Sequence, residues 1–433
     1  MKGSRSLSRR SFLAHSGGFS LVCGVFPQVV ASRVFGANDR VGVGVIGIGR
    51  QAGNLVDMLV RLPEARYVAV ADVNRLRAEA SGARHGAVPY QDYRRLLERD
   101  DVDAVITATP EHWRVLICLH ACQAAKDLYV EKPMSLTIRE GRWIVEAVRK
   151  NGRVFQTGSQ QRSMWPNYAA CAFLRSGGLG RIRRIVAHNY PTPWEHRLPE
   201  EPTPEGLDWD MWCGPAERVP YNRDLYLPRA NPGWLSFRPY SGGEMTGWGA
   251  HGFDQVQWAL GMDESGPVEV WTEGGEFVPP TYEASEAGER GNELCSKPKV
   301  FFRYPGDIIM ELGDAGPGGA RFIGEKGTVT VDRAYFRSDP PELAEEAMLQ
   351  PKPEGFEPNH LRNWLSCVKS RERPVADVET GHRSATVCHL GNIARWAGGR
   401  RLSWDPVGET FGEPGLDGFL DRERRRGFEV PKV

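Results

Sequence analysis

From residue 40 onward, short apolar runs alternate with longer stretches in which apolar residues recur every three or four positions. Residues 41–46 form an unbroken apolar run, the signature of a strand buried on both faces. Leu55, Leu59 and Val60 then recur at helical spacing. Strands are expected again at 67–71, 102–107, 127–130 and 154–157. Leu116, Leu119, His120 and Gln123 lie along one intervening helix, and residues 137–150 read as another. Repeated strand–helix order predicts an α/β fold with a doubly wound parallel sheet, whose ligands bind at the carboxyl ends of the strands. Beyond 158 the rhythm changes. Residues 182–187 read as a strand and 256–260 as part of an apolar helix. The runs 300–304, 308–312, 321–323 and 327–331 are separated by glycine turns, as in an antiparallel sheet. Residues 281–299 are expected to be a polar loop and 338–358 a long Pro- and Glu-rich connection. Residues 360–368 and 381–397 read as closing helices. The charged tail after Asp405, with its Arg424-Arg425-Arg426 run, reads as a solvated end.

The first strand runs directly into Gly47-Ile48-Gly49-Arg50-Gln51-Ala52-Gly53. The first glycine permits a tight turn, the second lets backbone approach a pyrophosphate, and the small Ala52 lets helix pack on strand. The following helix offers unpaired N–H groups and a positive dipole end to phosphates. These features predict a Rossmann unit binding a dinucleotide through Gly47, Ile48, Gly49, Arg50 and Gln51. The second strand ends in Asp72, about 20 residues past the glycines, where a carboxylate accepts from a ribose 2′-OH and repels a 2′-phosphate. NAD is therefore favoured over NADP, with Arg75 nearby as the residue that argues the other way.

Composition narrows the function class. The chain has 433 residues with 55 basic and 55 acidic side chains. Zero formal charge argues against a nucleic-acid binder or a polybasic membrane binder. The neutrality is a sum of two parts. Lys2, Arg5, Arg9, Arg10 and Arg33 precede a chain with no acid before Asp39. Ser8-Arg9-Arg10-Ser11-Phe12-Leu13, followed by a soft apolar stretch at 17–31, predicts a twin-arginine export signal over 1–37 and a periplasmic destination. Without it the chain carries about −5. No later stretch reads as a membrane span. The eight cysteines form no Cys-x-x-Cys pair, and Cys118 and Cys122 read as helix core. The ten histidines are scattered and no His-Glu-x-x-His or Gly-x-Ser-x-Gly occurs, so no metal site and no serine-hydrolase elbow is expected.

Four segments in order resemble the Gfo/Idh/MocA oxidoreductases: the glycine turn at 47–53, Thr109-Pro110-Glu111-His112, Glu131-Lys132-Pro133, and Gly242-Gly243 followed by His251 and Asp254. The exported branch looks most similar, through Gln156–Arg162, Leu207–Asp210 and Trp248–His251. The resemblance implies a Rossmann domain at 38–158 and, over 159–433, a C-terminal α/β domain. That second domain would carry a large, mostly antiparallel open sheet, one face of which commonly joins subunits into a homo-oligomer. It implies hydride transfer between nicotinamide and the carbinol carbon of a sugar or polyol. A minority of the family cleave glycosidic bonds by transient oxidation with retained NAD, and a non-catalytic sugar-binding descendant is a third reading.

Within that frame Lys132 and His251 are expected to handle the proton of the reacting hydroxyl. Asp254, three residues on, is expected to orient His251 from the same helix face. Thr109, Pro110, His112, Trp113 and Glu131 are expected beside the nicotinamide. Gln160, Gln161, Arg162, His188 and Glu244 are expected on the substrate side, with aromatic help from Tyr190, Trp194, Trp209 and Trp212. The family usually carries Asp four residues before the histidine. Here that position is Gly247, so Glu244, Asp208 and Asp210 are candidate substitutes. Arg114 stands where the branch often has histidine. It reads either as a fork for an anionic or polyhydroxylated substrate or as a helix-surface charge.

Overall fold

The computed structural model describes residues 39–226, 233–283 and 288–433. The expected signal at 1–37 and Cys23 lie outside the described residues. Six strands, β1 (Val41–Ile46), β2 (Ala65–Ala71), β3 (Val88–Tyr90), β4 (Ala104–Thr107), β5 (Asp127–Val130) and β6 (Phe155–Thr157), stand in the order β3-β2-β1-β4-β5-β6. Every pairing is parallel. This is the doubly wound order, with its crevice where the winding reverses between β1 and β4. β1 and β4 are buried along their whole length, the physical origin of their continuous apolar runs. β3 escaped the apolar reading because it is a three-residue edge strand with Val88 and Pro89 exposed. Helix Ile138–Lys150 begins at Thr137, whose hydroxyl accepts the Glu140 amide at 3.2 Å.

The second unit adds β7 (Ile182–His188), β8 (Glu195–His196), β9 (Glu269–Glu273), β10 (Thr281–Tyr282), β11 (Lys299–Tyr304), β12 (Ile308–Gly313), β13 (Ala320–Gly324), β14 (Gly327–Asp332), β15 (Tyr335–Asp339) and β16 (Leu402–Ser403). Eight of these make one open sheet in the order β15-β14-β13-β7-β12-β11-β9-β16. Its β7–β12 pair is parallel and its other pairs are antiparallel. Helices Gly249–Leu260 and Val378–Trp396 pack on it, with Phe253, Val256, Val387 and Leu390 meeting Val300, Phe302, Met310 and Phe322 in one core. Helix Val378–Trp396 also presses on β6. A Cβ at Gly381 would stand 1.9 Å from Thr157 Oγ1, so glycine sets that close approach.

The chain returns to the first sheet after completing the second. Leu361, Trp364, Leu365 and Val368 of helix His360–Ser370 join the core built by Val41, Val43 and Leu55. The expected loop at 281–299 contains helix Gly288–Cys295, and the connection at 338–358 contains helix Glu342–Met348. The tail is not a solvated end. Arg422 Nε and Arg424 Nη2 donate to Glu140 Oε1 at 2.8 and 2.9 Å, and Glu140 is fully buried. A buried carboxylate needs opposite charge beside it, a demand that the sequence of the tail alone does not reveal. The seven described cysteines are all free and buried, Cys118 and Cys122 among them. Among the described residues no helix is long and apolar enough to cross a membrane.

Charge also joins the two units. Arg142 of the first donates to Glu409 Oε1 at 2.6 Å and Glu379 Oε1 at 2.9 Å, and His382 Nε2 lies 2.7 Å from Glu409 Oε1. Burial raises the Glu409 carboxyl, but hydrogen bonds from His382 and Arg142 outweigh it and hold its pKa at about 2. A carboxyl lowered on folding contributes stability that is complete above its unfolded value of about 4.3 and is lost as pH falls through the folded one. We expect Glu409→Gln to destabilise the protein by about 3 kcal/mol at pH 7. The gap between the two proteins in thermal melting should close as pH falls from about 5 to 2. A gap independent of pH would contradict this assignment.

Candidate active site

The turn after β1 is shaped for close approach. Gly47 has φ +81°, and a Cβ there would stand 2.6 Å from Thr109 Cγ2, so the turn packs directly on the loop after β4. Helix Arg50–Leu59 follows with Gly49 at its N-cap and no side-chain cap, leaving first-turn amides for an anion. Ala52 is fully buried under the helix. Asp72 Oδ2 accepts the Ile48 amide at 2.8 Å and Oδ1 accepts the Asn74 amide at 2.7 Å. Burial pushes the Asp72 carboxyl up, opposed by the Asn74 amide, the Arg77 charge and the Ile48 amide. This set fits a dinucleotide: a capless helix start, a Cβ-free turn and a fixed carboxylate share one wall. Arg75, by contrast, pairs with Glu79 on the surface at 2.8 Å. Arg77 does line the cavity near Asp72, with its guanidinium 4.6 Å over the Tyr226 ring.

A cavity of about 460 Å³ runs between the two units, within the range of small-molecule sites. Gly47, Gly49, Arg50, Gln51, Asp72, Thr109, Pro110, Trp113, Glu131, Lys132 and His251 all line it. Gln51 Nε2 and Gln160 Nε2 donate to Glu131 Oε1 at 2.9 and 3.0 Å, which fixes the carboxylate beside Lys132. Lys132 Nζ donates to the Gly247 carbonyl at 2.8 Å. His251, nearly buried at 6% exposure, lies with its ring centroid 5.6 Å from that of Trp248. Arg333 sits 4.8 Å over the same Trp248 ring.

Two buried charges on one helix hold this arrangement. Glu111 accepts from Ser241 Oγ at 2.8 Å, the Gly242 amide at 2.9 Å and Thr246 Oγ1 at 3.1 Å. It therefore fastens the Thr-Pro-Glu-His segment to the Gly-Gly segment. Arg114 donates to the carbonyls of Thr109, Glu131 and Pro133. Arg114 is not the helix-surface charge of the second expectation: it is 3% exposed, it borders the cavity, and its hydrogen bonds go to the backbone that carries Thr109 and Lys132.

Several other expectations are corrected. His112 is fully buried, with Nε2 2.9 Å from the Trp212 carbonyl, and burial lowers its pKa to about 3. It supports the wall from behind. The Asp254 carboxylate is taken by Arg162 Nε at 3.0 Å and Ser384 Oγ at 2.8 Å, so it forms a buried ion pair instead of the expected support for His251. Arg162 also binds Asp263 at 2.7 Å. Gln161 donates to the Gly318 carbonyl at 2.6 Å and accepts Arg333 Nε at 3.4 Å, so it backs the cavity instead of lining it. His188 bonds the Ala315 carbonyl at 2.7 Å and borders a separate groove with Glu244. Glu244 Oε2 accepts the Trp248 amide at 3.2 Å and would stand 2.7 Å from a Cβ at Gly247. Asp208 caps helix Trp209–Cys213 and Asp210 pairs with Arg425, so neither replaces the missing carboxylate. Arg333, Trp248 and Tyr226 were missed as lining residues. Arg333 follows β14 in a tight turn with no local pattern to flag it. Among the described residues no group of three or more His, Cys, Asp or Glu is placed to hold a metal.

Comparison with known proteins agrees with this layout. Over 147 residues the chain is 33% identical to an inositol 2-dehydrogenase of Rubrobacter xylanophilus, a match covering 34% of this chain and 42% of that protein. It is 32% identical over 154 residues to a glycosyl hydrolase family 109 protein of Shewanella sp., covering 32% of this chain and 34% of that one. Both matches thus span less than half of the relative. The WlbA dehydrogenase of Chromobacterium violaceum, solved with NADH and UDP-GlcNAcA, shares the fold with TM-score 0.61 at 18% identity, over 87% of this chain and 99% of that one. Residues 41–159 match the NAD-binding Rossmann-fold domain of one oxidoreductase family, and residues 181–430 match its C-terminal alpha/beta domain. The chain belongs to the Gfo/Idh/MocA oxidoreductase family.

Proposed function

We propose that the protein is an NAD-dependent oxidoreductase acting on a CH–OH group of a sugar or polyol. One observation carries the reading: Lys132 of the Rossmann unit and His251 of the second unit line the same cavity as the glycine turn and Asp72. When bound, NAD would supply the hydride acceptor or donor. The protein's own residues do the rest. Lys132, held by the Gly247 carbonyl, presents an N–H to the reacting oxygen. His251 takes or returns the hydroxyl proton. The Trp248 ring offers a flat face to sugar C–H groups. Asp72 accepts from the ribose hydroxyls and disfavours a 2′-phosphate.

The likeness to a glycosyl hydrolase family 109 protein favours a second reading on the same residues, glycosidase chemistry by transient oxidation. Cleavage of an aryl glycoside without added nucleotide and without net reduction would select it. We further infer export in folded form, supported by Arg9-Arg10 and the soft apolar stretch behind them. Self-association through the open sheet is inferred from the family to which the C-terminal domain belongs.

Two substitutions test the site. Lys132→Met should lower kcat roughly 10²- to 10⁴-fold while NADH fluorescence titration shows unchanged binding. Equal turnover in the variant would exclude the assigned role. Asp72→Ser should weaken NAD about tenfold through lost hydrogen bonds and narrow the preference over NADP. An unchanged ratio would contradict the ribose assignment.

A further inference from the structure

We infer that the C-terminal segment 422–433 is a strap that controls nucleotide release, with Arg425 and Phe428 as its positioning residues. The inference rests on the reading that the cavity holds a dinucleotide. One wall of the cavity is not built from the Rossmann unit alone. Met211, Trp212 and Tyr226, from an excursion of the second unit, line it together with Trp113, Asp72 and Arg77.

The excursion is fastened at both sides of that wall. On the Asp72 side, the Arg75 amide donates to Gly206 O at 2.9 Å and the Asp208 amide to Val73 O at 2.9 Å. Asn74 Nδ2 donates to Tyr226 Oη at 3.1 Å. On the Trp113 side, the indole N–H donates to Met211 O at 3.0 Å and Trp212 O at 3.1 Å. Trp212 stacks on Trp209 at 4.4 Å.

The strap holds this second side from outside the cavity. The Arg425 amide donates to Pro215 O at 3.0 Å. Its guanidinium donates to Gly214 O at 3.0 Å and to Asp210 Oδ1 at 2.6 Å. Arg422 Nη2 donates to His112 O at 2.7 Å. Phe428 meets Trp113 edge-on, centroids 5.5 Å apart at 82°, and Arg425 lies 4.7 Å over the Phe428 ring. Val430 and Val433 pack on the same apolar core. Trp113 is thus held between a lid segment and a terminal strap. Residues 421–433 belong to no helix or strand, so this segment can peel away without unpairing a sheet, and local opening there has a lower free energy than global unfolding. Opening removes the Arg425 hydrogen bonds to Asp210, Gly214 and Pro215 and the Phe428 contact on Trp113, and so loosens the wall that Met211 and Trp212 supply. A nucleotide behind that wall leaves when the strap does.

The test is the NADH dissociation rate, read by stopped-flow chase of bound NADH with excess NAD. Arg425→Gln and Phe428→Leu should each accelerate release, and deletion of 425–433 should do so about tenfold, because interface losses of this kind fall on the off-rate. The polyol KM should stay unchanged, and the gap between holo and apo melting temperatures should narrow. A purely structural strap would lower both melting temperatures together and leave release untouched, which would overturn the inference. Should the deletion fail to fold, unchanged release in the two point variants would overturn it equally. Wild-type protein that binds no NADH would instead overturn the dinucleotide reading on which the strap depends.

Discussion

The Lys132 ammonium reaches across the junction of the two units and donates to the Gly247 carbonyl at 2.8 Å. That contact exists only because both ends are held. At one end, Arg114 binds the carbonyls of Glu131 and Pro133, so the backbone around Lys132 is fixed on both sides. At the other, Glu111 binds Ser241, Gly242 and Thr246, just before Gly247. Glu111 and Arg114 stand three residues apart on one helix, both buried. A buried charge is costly unless satisfied, so this pair makes the position of the site a condition of the fold.

The chemistry around Lys132 departs from what the resemblance implied. Where the resemblance implies an aspartate the chain has Gly247, whose carbonyl accepts from Lys132 at 2.8 Å, and a Cβ at that position would stand 2.7 Å from Glu244 Oε2. Glu244 is near but turned to the Trp248 amide. Arg333 and Trp248 bring a cation and a flat ring to the same wall. Both residues line the cavity beside Lys132 and His251.

What was legible in the sequence was local. Apolar runs showed β1 and β4, the glycine turn showed the cradle, and spacing from that turn showed Asp72. Lys132 and His251 were found because they sit in short ordered segments. What failed depended on distant partners. Asp254 shares a helix face with His251, but Arg162 and Ser384 claim its carboxylate. The Arg424 run looked solvated because nothing near it in sequence reveals a buried Glu140. His112 looked exposed to the cofactor, yet the 207–215 excursion covers it through Trp212. Arg333 reaches the cavity from the turn after β14 and Tyr226 from the short helix Arg223–Tyr226, neither with a local pattern, so only tertiary structure could place them.

One cavity joins the glycine turn to Lys132 and His251. A crystal structure of the protein loaded with NADH tests most directly whether it is a single dinucleotide site. The pyrophosphate should lie at the 47–51 turn, the adenosine ribose on Asp72 and the nicotinamide beside Lys132 and His251. Nucleotide bound with its nicotinamide away from these two residues, or no bound nucleotide at saturating NADH, would contradict it.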